Sequence, residues 1–191
     1  MQGSEEIAMQ YETDSYYHVY NRGAHSQSIF FQDENYNYLV SLFKKNAERY
    51  NTIVAAYCLM PNHYHLVLKE KHDGSIGSFL RTTFNTYTQA INNRFGTSGT
   101  LFQGQAKTKE IATEAYCLGV IPYIHLNPVT AKLVSSPAAW EFSNYLEWIG
   151  KRKSILIDSE LRDSYFSSPQ EYEIYVRDNN LIKKAKNLLA S

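Results

Sequence analysis

Apolar and polar positions change their period along this chain, and each change marks an element. Tyr16-Tyr17-His18-Val19-Tyr20-Asn21 alternates bulky residues and predicts a first strand, broken by Arg22-Gly23-Ala24. Asp33 is placed to cap a helix over 34–50, where Leu39, Leu42, Phe43 and Ala47 recur at three- and four-residue spacing. Residues 52–58 form a β-rich apolar run, and Met60-Pro61-Asn62 is a turn. The run His63-Tyr64-His65-Leu66-Val67-Leu68 then reads as a strand paired with it in a hairpin. Helical spacing returns over 75–95, with Ile76, Phe79, Leu80, Phe84, Tyr87 and Ile91 on one side. Residues 105–111 predict an exposed strand. Thr113 caps a further helix over 114–126, which Asn127-Pro128 is expected to stop. Trp140-Glu141-Phe142-Ser143-Asn144-Tyr145 reads as a packed irregular segment. Beyond the polar junction Lys151-Arg152-Lys153-Ser154, Asp158 and Ser168-Pro169 open two short helices, the second carrying Tyr172, Tyr175, Val176, Leu181 and Ile182. This order predicts an α+β fold, an antiparallel sheet with helices on one face.

Composition narrows the class. The chain has 191 residues, with 43% hydrophobic and 20% charged, an ordinary globular balance. No apolar run approaches the ~20 residues of a membrane span. The acidic start Met1-Gln2-Gly3-Ser4-Glu5-Glu6 lacks the apolar core of a signal peptide, so a cytoplasmic location is expected. Cys58 and Cys117 sit in apolar stretches and read as buried free thiols. Lys and Arg total 19, as do Asp and Glu, so nucleic-acid binding would need a local basic surface. The 16 tyrosines suit base stacking and a Tyr-rich core equally.

Candidate chemistry centres on the hairpin. Side chains two apart on a strand share a face, so His63 and His65 project together, about 7 Å apart along the strand. Two imidazoles so placed bind one divalent metal if a third ligand comes from elsewhere; as a lone pair they also fit a surface or core role. Tyr123 and Asn127, four apart in a helix, share a face and offer a phenol and an amide oxygen. The amide would complete a His-His-oxygen set, and the phenol would be the nucleophile toward a phosphodiester. Tyr116 lies on nearly the same face as a rival, and a metal-dependent phosphodiesterase using water remains open.

Four blocks occur in order: Tyr17-His18-Val19-Tyr20-Asn21-Arg22-Gly23, Met60-Pro61-Asn62-His63-Tyr64-His65-Leu66-Val67, Tyr123-Ile124-His125-Leu126-Asn127-Pro128-Val129 and Trp140-Glu141-Phe142-Ser143-Asn144-Tyr145. Together they resemble the single-tyrosine HUH transposases of the IS200-like superfamily, in particular the REP-associated tyrosine transposases. The resemblance implies a ferredoxin-like, Rep/relaxase-like antiparallel sheet with helices packed on it. It divides the chain into an N-terminal tail over 1–13, a catalytic domain over 14–150 and a small helical extension over 151–191. It implies metal-dependent cleavage and transfer of single-stranded DNA at hairpin or palindromic repeat ends, through a 5′-phosphotyrosine and without ATP. Tyr123 matches the nucleophile, His63 and His65 the metal pair, and Asn127 the third ligand. Gln105, Lys107 and Lys109 fall where relatives carry DNA contacts, and Arg22 and Arg81 join that candidate set. The cofactor implied is Mn²⁺ or Mg²⁺, and two imidazoles with an amide favour Mn²⁺. The partner implied is single-stranded or hairpin DNA in a prokaryotic, nucleoid-associated setting. A monomer and a homodimer, with Tyr123 acting in cis or in trans, both remain open. The alternative is a domesticated, non-catalytic nucleic-acid-binding descendant.

Overall fold

A computed structural model describes residues 10–177. Four strands form one antiparallel sheet in the order β2-β3-β1-β4: β1 Tyr16–Arg22, β2 Thr52–Met60, β3 His63–Glu70 and β4 Lys107–Glu110. Between them run α1 Asp33–Arg49 and α2 Ile76–Phe95, and after β4 comes α3 Glu114–Thr130. Three short helices follow, α4 Tyr145–Trp148, α5 Ser159–Tyr165 and α6 Pro169–Val176. No helix among the described residues is long and apolar enough to cross a membrane.

Helices cover both faces of the sheet rather than one. Strand alternation sends Tyr17, Val19, Tyr57, Leu59, Tyr64, Leu66 and Leu68 into a core with α1 and α2. It sends Cys58, Met60 and Val67 to the opposite face, where α3, α4 and the C-terminal helices close a second core. The sign was in α3 itself. Helix α1 buries one stripe, but α3 buries eleven of its 17 residues, more than one side of a helix holds. A helix apolar on several sides needs a layer beyond it, and α5 and α6 supply one through Leu161, Phe166, Tyr172 and Val176.

Two expected boundaries move. Helix α1 is capped by Gln32, in a reciprocal capping box with Asn35, and Asp33 is its first residue. Helix α3 does not stop at Asn127-Pro128 but runs a further turn to Thr130. Proline removes one backbone donor, and the packing on both sides of α3 outweighs that loss. The carbonyl that Pro122 leaves without a partner, that of Leu118, accepts a hydrogen bond from the Tyr175 hydroxyl on α6 at 3.2 Å. Thr113, Ser75, Asp158 and Ser168 each cap the helix they precede. Leu181 and Ile182 lie outside the described residues.

The segment after α3 seals the free edge of β2. Leu59 N–H donates to Phe142 O at 2.9 Å, and the Trp140 indole N–H donates to Leu59 O at 3.1 Å. A bulge at Ala55 leaves that carbonyl outside the ladder. Asn144 Nδ2 and Trp148 Nε1 donate to it at 3.0 and 2.9 Å. Asn144 also donates to Leu156 O and accepts from Tyr57 N–H and from the His125 ring. His125 in turn accepts from the Tyr172 hydroxyl at 2.5 Å. A buried polar chain thus joins β2, α3 and α6, with every member paired.

Candidate active site

The turn between β2 and β3 is fixed from outside. Gly23 N–H donates to Asn62 O at 2.8 Å, and Ile29 N–H to Pro61 O at 2.8 Å. A Cβ at Gly23 would lie 2.1 Å from the Gln27 carbonyl oxygen, so only glycine lets the chain fold back here. Asn62 Oδ1 accepts from His63 Nδ1 at 2.7 Å, which leaves Nε2 as that ring's free nitrogen.

Strand alternation then does what the sequence predicts. Tyr64 is driven into the core, stacked on Phe84, while His63 and His65 face α3. Their rings are 5.3 Å apart and nearly perpendicular. His65 is buried, and burial together with the His18 and His63 rings holds its pKa well below the usual value. His63 is partly exposed; burial lowers its pKa too, against the opposing pull of Asn127. Both rings are therefore neutral at pH 7, the form that ligates metals.

Helix α3 brings two further groups of the same chain to this face. The Tyr123 ring meets His65 edge-on at 5.6 Å. Asn127, one turn on, offers its amide as a polar neighbour to both His63 and the Tyr123 hydroxyl. Burial raises the Tyr123 pKa above the ordinary phenol value, and the Asn127 amide works against that rise. Tyr116 is placed differently. Its hydroxyl lies 3.4 Å from His18 Nδ1, and the Lys109 ammonium sits over its ring at 5.0 Å.

The set suits a borderline divalent ion. Among the described residues no three His, Cys, Asp or Glu side chains are arranged to hold a metal ion. With the His18 ring engaged on His65, the imidazoles of His63 and His65 and the Asn127 amide are what this face offers. The buried amide nitrogen of Asn127 has no hydrogen-bond partner, so turning the amide costs no hydrogen bond at that atom and presents the oxygen there instead.

A cavity of about 500 Å³ opens beside the histidines, between the ends of β1, β3 and β4. Arg22, Gln103, Gln105 and Lys107 line it, and no carboxylate does. Arg22 is held by a hydrogen bond to the Gln103 side chain. Lys109 shares the face of Lys107 but lies over Tyr116. Arg81 is elsewhere: it lines a second hollow, beside α2, that meets the first along Asn21, Tyr64 and Gln105. Three residues given no individual role by the sequence reading belong to this site. They are Asn62, His18 and Tyr20, the last two packed on His65 and on each other. The signal was the same alternation in β1 that marked His63 and His65 in β3.

The IS200-like transposase profile matches residues 11–127, and no curated protein matches. Among solved structures, a REP-associated tyrosine transposase bound to a REP hairpin aligns with a TM-score of 0.64 and 17% identity, over 81% of this chain and 91% of that one. A second solved structure, from Deinococcus radiodurans R1, aligns at a TM-score of 0.44 and 17% identity, over 62% of this chain and 95% of that one. With the profile covering more than half of its length and its sheet and helices those of the REP-associated structure, this chain belongs to the IS200-like transposase family.

Proposed function

We propose that this protein nicks and rejoins single-stranded DNA at hairpin or palindromic repeat ends, with Tyr123 as nucleophile. One observation carries the reading: within one chain the Tyr123 ring lies edge-on against His65 at 5.6 Å, with Asn127 one turn further along the same helix. The Tyr123 phenol oxygen attacks a backbone phosphorus, the bond from phosphorus to the 3′-oxygen breaks, and the phenol proton is lost as the departing oxygen gains one. The products are a 5′-phosphotyrosine and a free 3′-hydroxyl. Attack of a 3′-hydroxyl on that ester restores the phenol and joins the strand, with the bond energy kept throughout and no ATP consumed.

His63 Nε2, His65 Nε2 and the Asn127 amide oxygen would hold a divalent cation, which when bound polarises the phosphate oxygens. This donor set favours Mn²⁺ over Mg²⁺. Asn62 holds the His63 ring by its far nitrogen. The α3 backbone keeps Tyr123 and Asn127 on one face, supplying the proximity that a phenol of raised pKa needs. Arg22, Lys107 and Gln105 supply the cavity's attraction for the strand's phosphates. The solved relative was bound to a REP hairpin, and a hairpin with a single-stranded flank is the substrate proposed here. All the named groups come from one chain, so cleavage is proposed to act in cis.

The test uses an end-labelled hairpin with a single-stranded flank and Mn²⁺. The wild type is expected to form a denaturation-resistant protein–DNA adduct, and Tyr123→Phe to bind the hairpin without forming one. Capture by Tyr123→Phe, or nicking with no adduct, would overturn the reading.

A further inference from the structure

The two histidines of the hairpin are supported differently. His63 is oriented by its neighbour Asn62. His65 meets a side chain from another strand at its Nδ1. In the β1–β3 register His18 stands opposite Val67 and Tyr20 opposite His65, so His18 and His65 lie on one face, diagonal to each other. Their rings stack 5.2 Å apart with an 18° tilt, and Tyr20 stacks on both. His18 Nε2 and His65 Nδ1 are 3.0 Å apart. His18 is 1% exposed, and among the described residues the one further hydrogen-bond partner of its ring is the Tyr116 hydroxyl, 3.4 Å from Nδ1.

A neutral imidazole donates at one nitrogen and accepts at the other, so the His18–His65 contact has two protonation patterns. If His18 donates from Nε2, His65 carries its own proton on Nε2 and has no lone pair to offer there. If His65 donates from Nδ1, its Nε2 is bare. The second pattern requires His18 to be protonated on Nδ1, and the Tyr116 hydroxyl stands there as an acceptor. Tyr116 is itself held by the Lys109 ammonium over its ring.

We propose that His18 is a positioning residue for His65. By accepting the Nδ1 proton, with Tyr116 accepting from its own Nδ1, it fixes the tautomer whose Nε2 lone pair serves as a metal ligand. A ligating histidine is commonly tied down through its second nitrogen by a carboxylate or a carbonyl. Here a second histidine does this, which keeps the buried support uncharged. The proposal rests on His63 and His65 forming the metal site, and its test separates the two ideas.

Metal-free protein is examined by long-range ¹H–¹⁵N NMR, and Mn²⁺ affinity by the loss of the free-ion EPR signal. In the wild type His65 is expected as the Nδ1–H tautomer. His18→Leu should lose that preference and weaken Mn²⁺ binding on the order of 10- to 100-fold. His18→Gln, whose amide oxygen can reach the position of Nε2, should recover most of the affinity. Thermal melts without metal show whether each variant folds. Should His18→Leu not fold, the wild-type tautomer and the His18→Gln affinity decide. An Nε2–H tautomer in the wild type, unchanged affinity in His18→Leu, or no recovery in His18→Gln would each overturn the proposal. If His63→Ala and His65→Ala also leave Mn²⁺ binding unchanged, the metal site itself is wrong rather than its support.

Discussion

At the scale of single residues, the site combines a motif visible in the sequence with supports that were not. His63, His65, Tyr123 and Asn127 were legible because strand and helix periods each put a pair on one face. That the two pairs meet is a tertiary fact, which spacing cannot supply. Tyr116 and Tyr123 are equivalent by periodicity. They part company because His18 takes the one hydroxyl while His65 meets the other ring. Asn127 is the residue whose chemistry can be changed most cleanly. Asn127→Asp replaces an amide with a harder, charged oxygen donor, so Mg²⁺ affinity should rise about tenfold or more, by a larger factor than Mn²⁺ affinity. Titration of each ion against wild type and variant checks this. An unchanged Mg²⁺ to Mn²⁺ ratio would remove Asn127 from the ligand set.

At the scale of elements, strands and helices followed the hydrophobic pattern closely, apart from the start of α1 and the end of α3. The pattern missed that α3 is the middle of a layered stack. The three-residue bridge of Tyr172, His125 and Asn144 welds that stack together. His125 is fully buried without a carboxylate partner, which holds its pKa down at about 4. Its folded pKa is below the unfolded value of ~6.5, so the unfolded chain binds the extra proton first. The contribution is fully present above pH ~6.5 and is lost as pH falls toward 4. The loss amounts to about 3 kcal/mol once both states are protonated. Urea unfolding at stepped pH should show the midpoint falling through this window, and His125→Gln should flatten the fall. A wild-type midpoint constant from pH 7 to 4 would contradict the assignment.

At the scale of the whole molecule, a neutral chain meets a polyanion. The charge totals hid this, because what matters is which charges face the cavity. Two cations and no carboxylate line it. If Arg22 and Lys107 are the main phosphate contacts, the logarithm of hairpin affinity should fall with the logarithm of salt at a slope of about −1.5 to −2. Lys107→Ala should reduce that slope by roughly 1, and Arg81→Ala should leave it alone. Binding isotherms from low to moderate salt test this, and a slope near −6 would mean that a different basic surface holds the DNA. The expected division at residue 150 is also crossed by packing. Residues 161–176 share a core with β2 and α3, although the family match ends at Asn127.

The bulge in β2 gives this last point an unexpected form. The ladder pairs Val54 with Leu68 and Ala56 with Val67, and skips Ala55. Deleting Ala55 would therefore leave a regular ladder, with His63 and His65 still turned toward α3. What the shortened strand would lose is the carbonyl on which Asn144 and Trp148 hang. Proteolysis of the deletion variant should begin between 140 and 176 and spare the hairpin. Ala55 is superfluous to the sheet it interrupts: it is a spare link, and the hook on which residues 140–176 are hung.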